Sequence, residues 1–116
     1  PEQGEKCLSC GACSAVCPTC YCYDMVDKPS LAGGATRQRV WDNCFFADHA
    51  VVAGGHDFRP DRAARLRFRF EHKKLGFGPL RGVASCVGCG RCLQACPVDI
   101  DLEQIAERIA AEFASC

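Results

Sequence analysis

The strongest hydrophobic period lies at the C-terminal end of the chain. From Asp99 to Ala114, Leu102, Ile105, Ile109 and Phe113 recur at helical spacing and make one apolar stripe on a polar segment. Asp101 precedes the stripe as an N-cap, and Gln104, three residues on, is its capping-box partner. The pattern predicts a helix whose stripe is ordinary core. Residues 58–75 are ambiguous. Leu66, Phe68 and Phe70 alternate as in a strand, whereas Ala63, Leu66, Phe70 and Lys74 share a helical face. Segment length, the Ala63-Ala64 pair and the Pro60-Asp61 start favour a helix, closed by a turn between Lys73 and Gly78. Elsewhere the period fails. Residues 1–6 are a polar lead-in, 27–36 have the composition of a loop, and Gly54-Gly55 suits backbone lying close to a ligand. No clear strand-turn-strand signal stands out in the insert.

Composition changes this picture. Of 116 residues, 12 are Cys, a density that signals a disulfide scaffold or a metal protein. A disulfide framework requires an oxidising compartment, and the chain opens Pro-Glu-Gln-Gly-Glu-Lys, with no apolar segment of the kind a signal peptide carries. No apolar run reaches the 18 or more residues that cross a membrane. Lys+Arg and Asp+Glu are both 14, so net charge gives no nucleic-acid footprint.

Cysteine spacing decides between scaffold and metal. Cys7, Cys10, Cys13 and Cys17-Pro18 read C-x2-C-x2-C-x3-C-P, and Cys86, Cys89, Cys92 and Cys96-Pro97 repeat that run. Disulfide frameworks do not repeat this spacing; it is the bacterial-type [4Fe–4S] run. Three closely spaced sulfurs reach three corners of one cluster, and small residues such as Gly11, Ala12 and Ser9 let the chain curl around it with N–H groups free to bond to sulfur. In two-cluster ferredoxins the fourth Cys ligates the other cluster. The expected ligand sets are therefore Cys7, Cys10, Cys13 and Cys96 for cluster 1, and Cys86, Cys89, Cys92 and Cys17 for cluster 2. An oxidised cluster with four thiolates carries about −2 overall, so the cations of residues 58–75 are either a solvated face or countercharge to the clusters. Arg91 and Arg81, within and just before the second run, are expected to raise the potential of cluster 2 if close, so that Arg91→Glu lowers it.

The long separation of Cys17 from Cys86 would swamp the small βαββαβ ferredoxin fold. The expected fold class is mainly α: an α-helical-ferredoxin-like two-cluster domain with a long irregular insert, residues 1–116 forming one ferredoxin-type domain. Cys20, Cys22 and Cys44 lie outside the two runs, and Cys116 reads as a free terminal thiol. The three are either buried thiols or ligands of a third metal site, most simply a third cluster, with Asp24, His49, His56 or an external group as the fourth ligand. Rival functions are a structural zinc-binding interaction module, which the three-Cys curl fits poorly, and a cluster-based redox sensor. No coherent acid/base constellation points to catalysis by the chain itself; His49, His56 and His72 are scattered.

Five segments together resemble one family: Cys-Pro-Thr-Cys-Tyr-Cys-Tyr-Asp (17–24), Arg-Val-Trp-Asp-Asn-Cys (39–44), Val-Ala-Gly-Gly-His-Asp-Phe-Arg-Pro (52–60), Arg-Leu-Arg-Phe-Arg-Phe-Glu-His-Lys (65–73) and Cys-Val-Gly-Cys-Gly-Arg-Cys (86–92). They are similar to the 4Fe-4S dicluster domain of the anaerobic sulfite reductase A subunit and the sulfhydrogenase β subunit. The resemblance implies an electron-carrying subunit of a cytoplasmic anaerobic oxidoreductase, working between a flavin- or nicotinamide-binding partner and a catalytic sulfite reductase or hydrogenase subunit. It also implies more than two clusters, which favours the Cys20/Cys22/Cys44 site. Members of that family are longer, with a region before the first run, so this chain is expected to be a domain of a larger subunit.

Overall fold

A computed structural model describes residues 2–76 and 82–115. Arg81, Gly78 and Cys116, singled out above, lie outside the described residues. Among the described residues are five α-helices: α1 (Glu2–Lys6), α2 (Ala12–Ala15), α3 (Arg62–Lys74), α4 (Arg91–Gln94) and α5 (Leu102–Ala114). A single-turn 3-10 helix covers Ala47–Ala50, and two strands, β1 (Tyr23–Pro29) and β2 (Ala35–Trp41), pair antiparallel from Tyr23↔Trp41 to Pro29↔Ala35.

The hairpin corrects the expected fold class. The described residues are 39% helix and 15% strand, and the insert is not irregular throughout. The loop reading of residues 27–36 shrinks to Ser30–Gly34, where Ser30 N–H donates to Gly34 O (3.1 Å) and Gly33 and Gly34 take positive φ. The strands escaped notice for a physical reason. Both faces are exposed apart from half-buried Val26 and Val40, so the sequence carries no period-2 apolar alternation. The ribbon is held instead by its backbone ladder, by an Asp27–Arg37 pair lying opposite one another in register (2.7 and 2.8 Å), and by Arg39 over the Tyr23 ring at 4.3 Å.

The two cysteine runs fold into near-copies of one loop. In each, the residue before the second Cys has positive φ (Ser9 52°, Gly88 67°), and so does the Gly after it (Gly11 75°, Gly90 71°). That Gly opens a four-residue helix, α2 or α4, in which its carbonyl accepts two N–H bonds. The fourth Cys follows, bonded back to Ser14 O in one loop and Leu93 O in the other (3.2 and 3.1 Å). Helices α2 and α4 pack on one another, bringing the runs together across the whole insert.

Helix α3 braces this pair. Asp61 caps it, accepting from Ala64 N–H at 2.7 Å, as the Pro60-Asp61 start predicts. Its buried face is not the expected one: it consists of Leu66, Arg69 and Lys73. Helix α1 docks on α3 through Gly4, where any Cβ would run into Ala63. The core is small, with Cys7, Cys44, Phe45, Leu66 and Ile100 at its centre and Phe68, Val98 and Ile105 packed around it. Asp101 caps α5, accepting from the N–H groups of Glu103 (2.8 Å) and Gln104 (3.4 Å). Leu102 and Ile105 reach the core, but Phe113 is 79% exposed and Ile109 38%, so the far half of the predicted stripe is surface.

Candidate functional site

Two sulfur-lined cavities lie where the loops meet. The first is lined by Cys7, Cys10 and Cys13 of the first run together with Cys92 and Cys96 of the second. The second is lined by Cys86, Cys89 and Cys92 of the second run together with Cys17 of the first. Each run thus delivers its fourth cysteine to the cavity headed by the other. The reason is local: a tight turn after the third Cys sends the fourth away, and the Pro that follows it bars helical continuation.

The sulfurs receive polar support. Ser9 N–H donates to Cys7 Sγ (3.4 Å) and Ile100 N–H to Cys96 Sγ (3.3 Å); the Cys17 sulfur lies 3.5 Å from Thr19 Oγ1. Gly11, Gly88 and Gly90 give the loops their left-handed turns. At Gly11 the need is double, because a Cβ there would also strike the Asn43 side chain. Asn43 is wholly buried; its Nδ2 donates to Gly11 O at 3.0 Å and its Oδ1 accepts from Phe45 N–H at 3.1 Å. It ties the Cys44 segment to the first loop.

The site's charge comes from α3. Arg69 (2% exposed) lines both cavities and donates through Nη2 to Cys13 O at 3.1 Å. Lys73 (1% exposed) lines the second cavity, and its Nζ donates to Thr19 O (2.7 Å) and Thr19 Oγ1 (3.0 Å). The Thr19 hydroxyl in turn donates a hydrogen bond to Ser85 O at 2.6 Å. Arg91, by contrast, is exposed at the start of α4. The spacing 69/73 is one helical turn, a signal available in the sequence but hidden among seven cations.

These neighbours set the thiols apart. Burial opposes ionisation of Cys17, but hydrogen bonds from Thr19 and Arg69 and the Arg69 charge outweigh it and bring the thiol down to about 7. Burial pushes Cys13 up to about 11 against the same guanidinium, and raises Cys92 against the Leu93 N–H and Arg69. Burial disfavours the charge on Arg69 itself, yet the sulfurs of Cys17, Cys13 and Cys44 overcome this and hold it above its usual value.

Of the left-over cysteines, Cys22 and Cys44 meet. A hydrogen bond from Cys22 lowers the buried Cys44 thiol to about 7, while the same contact and burial drive Cys22 well upward. Cys44 also lies 3.8 Å from Ser14 Oγ, and Cys20 is close enough to act on it electrostatically. Of the candidate fourth ligands, Asp24 accepts from its neighbour Met25 N–H in the exposed hairpin (2.7 Å), His56 packs edge-on against Phe58, and His49 Nδ1 pairs with Asp42 Oδ2.

The donor chemistry fits iron–sulfur clusters. Every described cysteine is a free thiol. Among the described residues no three His, Cys, Asp or Glu side chains converge on one metal-ion position. Two buried cations without a carboxylate partner among the described residues would be costly beside neutral cavities and are suited to anionic ones.

Fold and site together define an iron–sulfur electron-transfer domain for two [4Fe–4S] clusters. The model of the family described as 4Fe-4S dicluster domain matches residues 6–100, and the chain belongs to that family. It is 47% identical over 108 residues to sulfhydrogenase 2 subunit beta of Pyrococcus furiosus, covering 93% of this chain and 32% of that protein. It is 28% identical over 98 residues to pyruvate:ferredoxin oxidoreductase of Moorella thermoacetica, covering 84% of this chain and 6% of that protein. The chain therefore spans less than a third of the length of either relative. No solved structure matches it significantly. Among the described residues no helix is long and apolar enough to cross a membrane.

Proposed function

We propose that the chain is a one-electron relay with crossed ligation, one cluster held by Cys7, Cys10, Cys13 and Cys96 and the other by Cys86, Cys89, Cys92 and Cys17. The observation that carries this reading is the mixed lining of the two cavities. A bound [4Fe–4S] cluster supplies the one-electron chemistry. The chain's residues ligate, donate N–H groups to sulfur, exclude water along the Leu66, Phe45 and Ile100 side, and present fixed positive charge. On this reading the relay works inside a larger cytoplasmic oxidoreductase, between a flavin- or nicotinamide-binding partner and a catalytic metal subunit; the likeness to a sulfhydrogenase subunit supports the multi-subunit setting.

Single Cys→Ser variants test the ligation through the EPR signals of the reduced protein. Cys17→Ser is expected to alter the same signal as Cys89→Ser and to leave the signal altered by Cys10→Ser. If Cys17→Ser and Cys10→Ser alter one signal, ligation is not crossed.

A third cluster at Cys20, Cys22 and Cys44 is favoured by the contact of Cys22 with Cys44. His49 is the best prepared of the candidate fourth ligands. Asp42 engages its Nδ1 and leaves Nε2 for a metal, the usual carboxylate–histidine–metal order.

A further inference from the structure

Helix α3 carries two buried cations, and they do not reach the same cavities. Arg69 lines both, touches the first loop at Cys13 O, and stands beside the Cys17 sulfur, which the first loop sends to the second cavity. Its Nε is buried with no hydrogen-bond partner among the described residues. Lys73 lines only the second cavity, where its ammonium is fixed through Thr19. Both are fully desolvated, and a desolvated cation acts on a nearby charge with little screening. Nothing else of positive charge lines either cavity among the described residues.

We propose that Arg69 is a shared electrostatic positioning residue that raises the potentials of both clusters, and that Lys73 raises the potential of the second cluster alone. This rests on the two-cluster assignment above. The added electron makes a cluster more anionic by one charge, with no proton transferred, so a fixed cation stabilises the reduced form over the oxidised one. Having two cations, the Cys17/Cys86/Cys89/Cys92 site is set above its neighbour on this account, and electrons resting in the pair collect there. The exposed Arg91 is a weak contributor, subject to screening.

EPR-monitored redox titration of the anaerobically purified protein separates these roles. Arg69→Gln is expected to move both midpoints to more negative values, and Lys73→Met only one. The expected size is a tenfold or greater loss of electron affinity, ~59 mV for one electron. The shifts should persist in high salt, and Arg69→Lys and Lys73→Arg should restore most of them. Unchanged midpoints, or a Lys73→Met shift shared equally by both clusters, overturn the proposal. Iron and sulfide content is measured on the same samples: about 8 of each per chain with unmoved midpoints contradicts only the electrostatic assignment, whereas wild-type protein without sulfide contradicts the cluster reading itself. If Arg69→Gln fails to assemble clusters, the Lys73→Met and Lys73→Arg pair still decides the one-cluster shift.

Discussion

At the residue scale, most of the chemistry sits in atoms whose identity the sequence displays and whose surroundings it hides. The eight motif cysteines are legible because three sulfurs on one curl require fixed spacing. Asn43 and Arg69 are not, because their roles depend on contacts across more than thirty residues of chain. Two predictions belong here. Gly11→Ala forces a Cβ into a left-handed position and into Asn43, and is expected to destabilise the holoprotein by about 2–4 kcal/mol, strain and overpacking together. Asn43→Ala removes two buried hydrogen bonds and is expected to cost about 1–3 kcal/mol. Denaturant unfolding under anaerobic conditions measures both; a loss below about 0.5 kcal/mol at either site would contradict the close fit of loop and Asn43.

At the scale of elements, capping signals read well and burial patterns less so. Asp61 and Asp101 cap α3 and α5 where the sequence placed them. The apolar stripe of α5 reads as core along its whole length, yet only Leu102 and Ile105 reach the core, while Ile109 and Phe113 are exposed. The buried face of α3 was missed because it is partly cationic, and hydrophobic periodicity cannot register a charge buried for the sake of a cofactor. The hairpin was missed because it buries too little to leave an alternating pattern. Helix docking yields a sharper expectation. Gly4→Ala pushes a methyl group into Ala63 and should release α1 from α3 at about 1–3 kcal/mol, seen as faster amide exchange in residues 2–6. Exchange unchanged from wild type would mean that α1 is not held by that contact.

At the scale of the whole molecule, the apolar core is too slight to dominate folding. It centres on five side chains, two of them cysteines, in a body of 64 × 30 × 29 Å. If ligation is crossed as proposed, the runs also join the two ends of the sequence, and ligation and folding should be coupled. On the proposed ligation, removing iron takes away the anionic partners of Arg69 and Lys73 as well as the links between α2 and α4. Chelation of iron is expected to abolish cooperative thermal unfolding and to loosen α3; an apoprotein that unfolds cooperatively near the holoprotein's Tm would contradict this.

The central claim is that the duplicated cysteine runs hold two [4Fe–4S] clusters. Iron and acid-labile sulfide analysis of the anaerobically purified protein tests it most directly. The account predicts a brown protein with about 8 iron and 8 sulfide per chain, rising to about 12 of each if Cys20, Cys22 and Cys44 hold a third cluster. A colourless protein loaded with zinc and free of sulfide would contradict it.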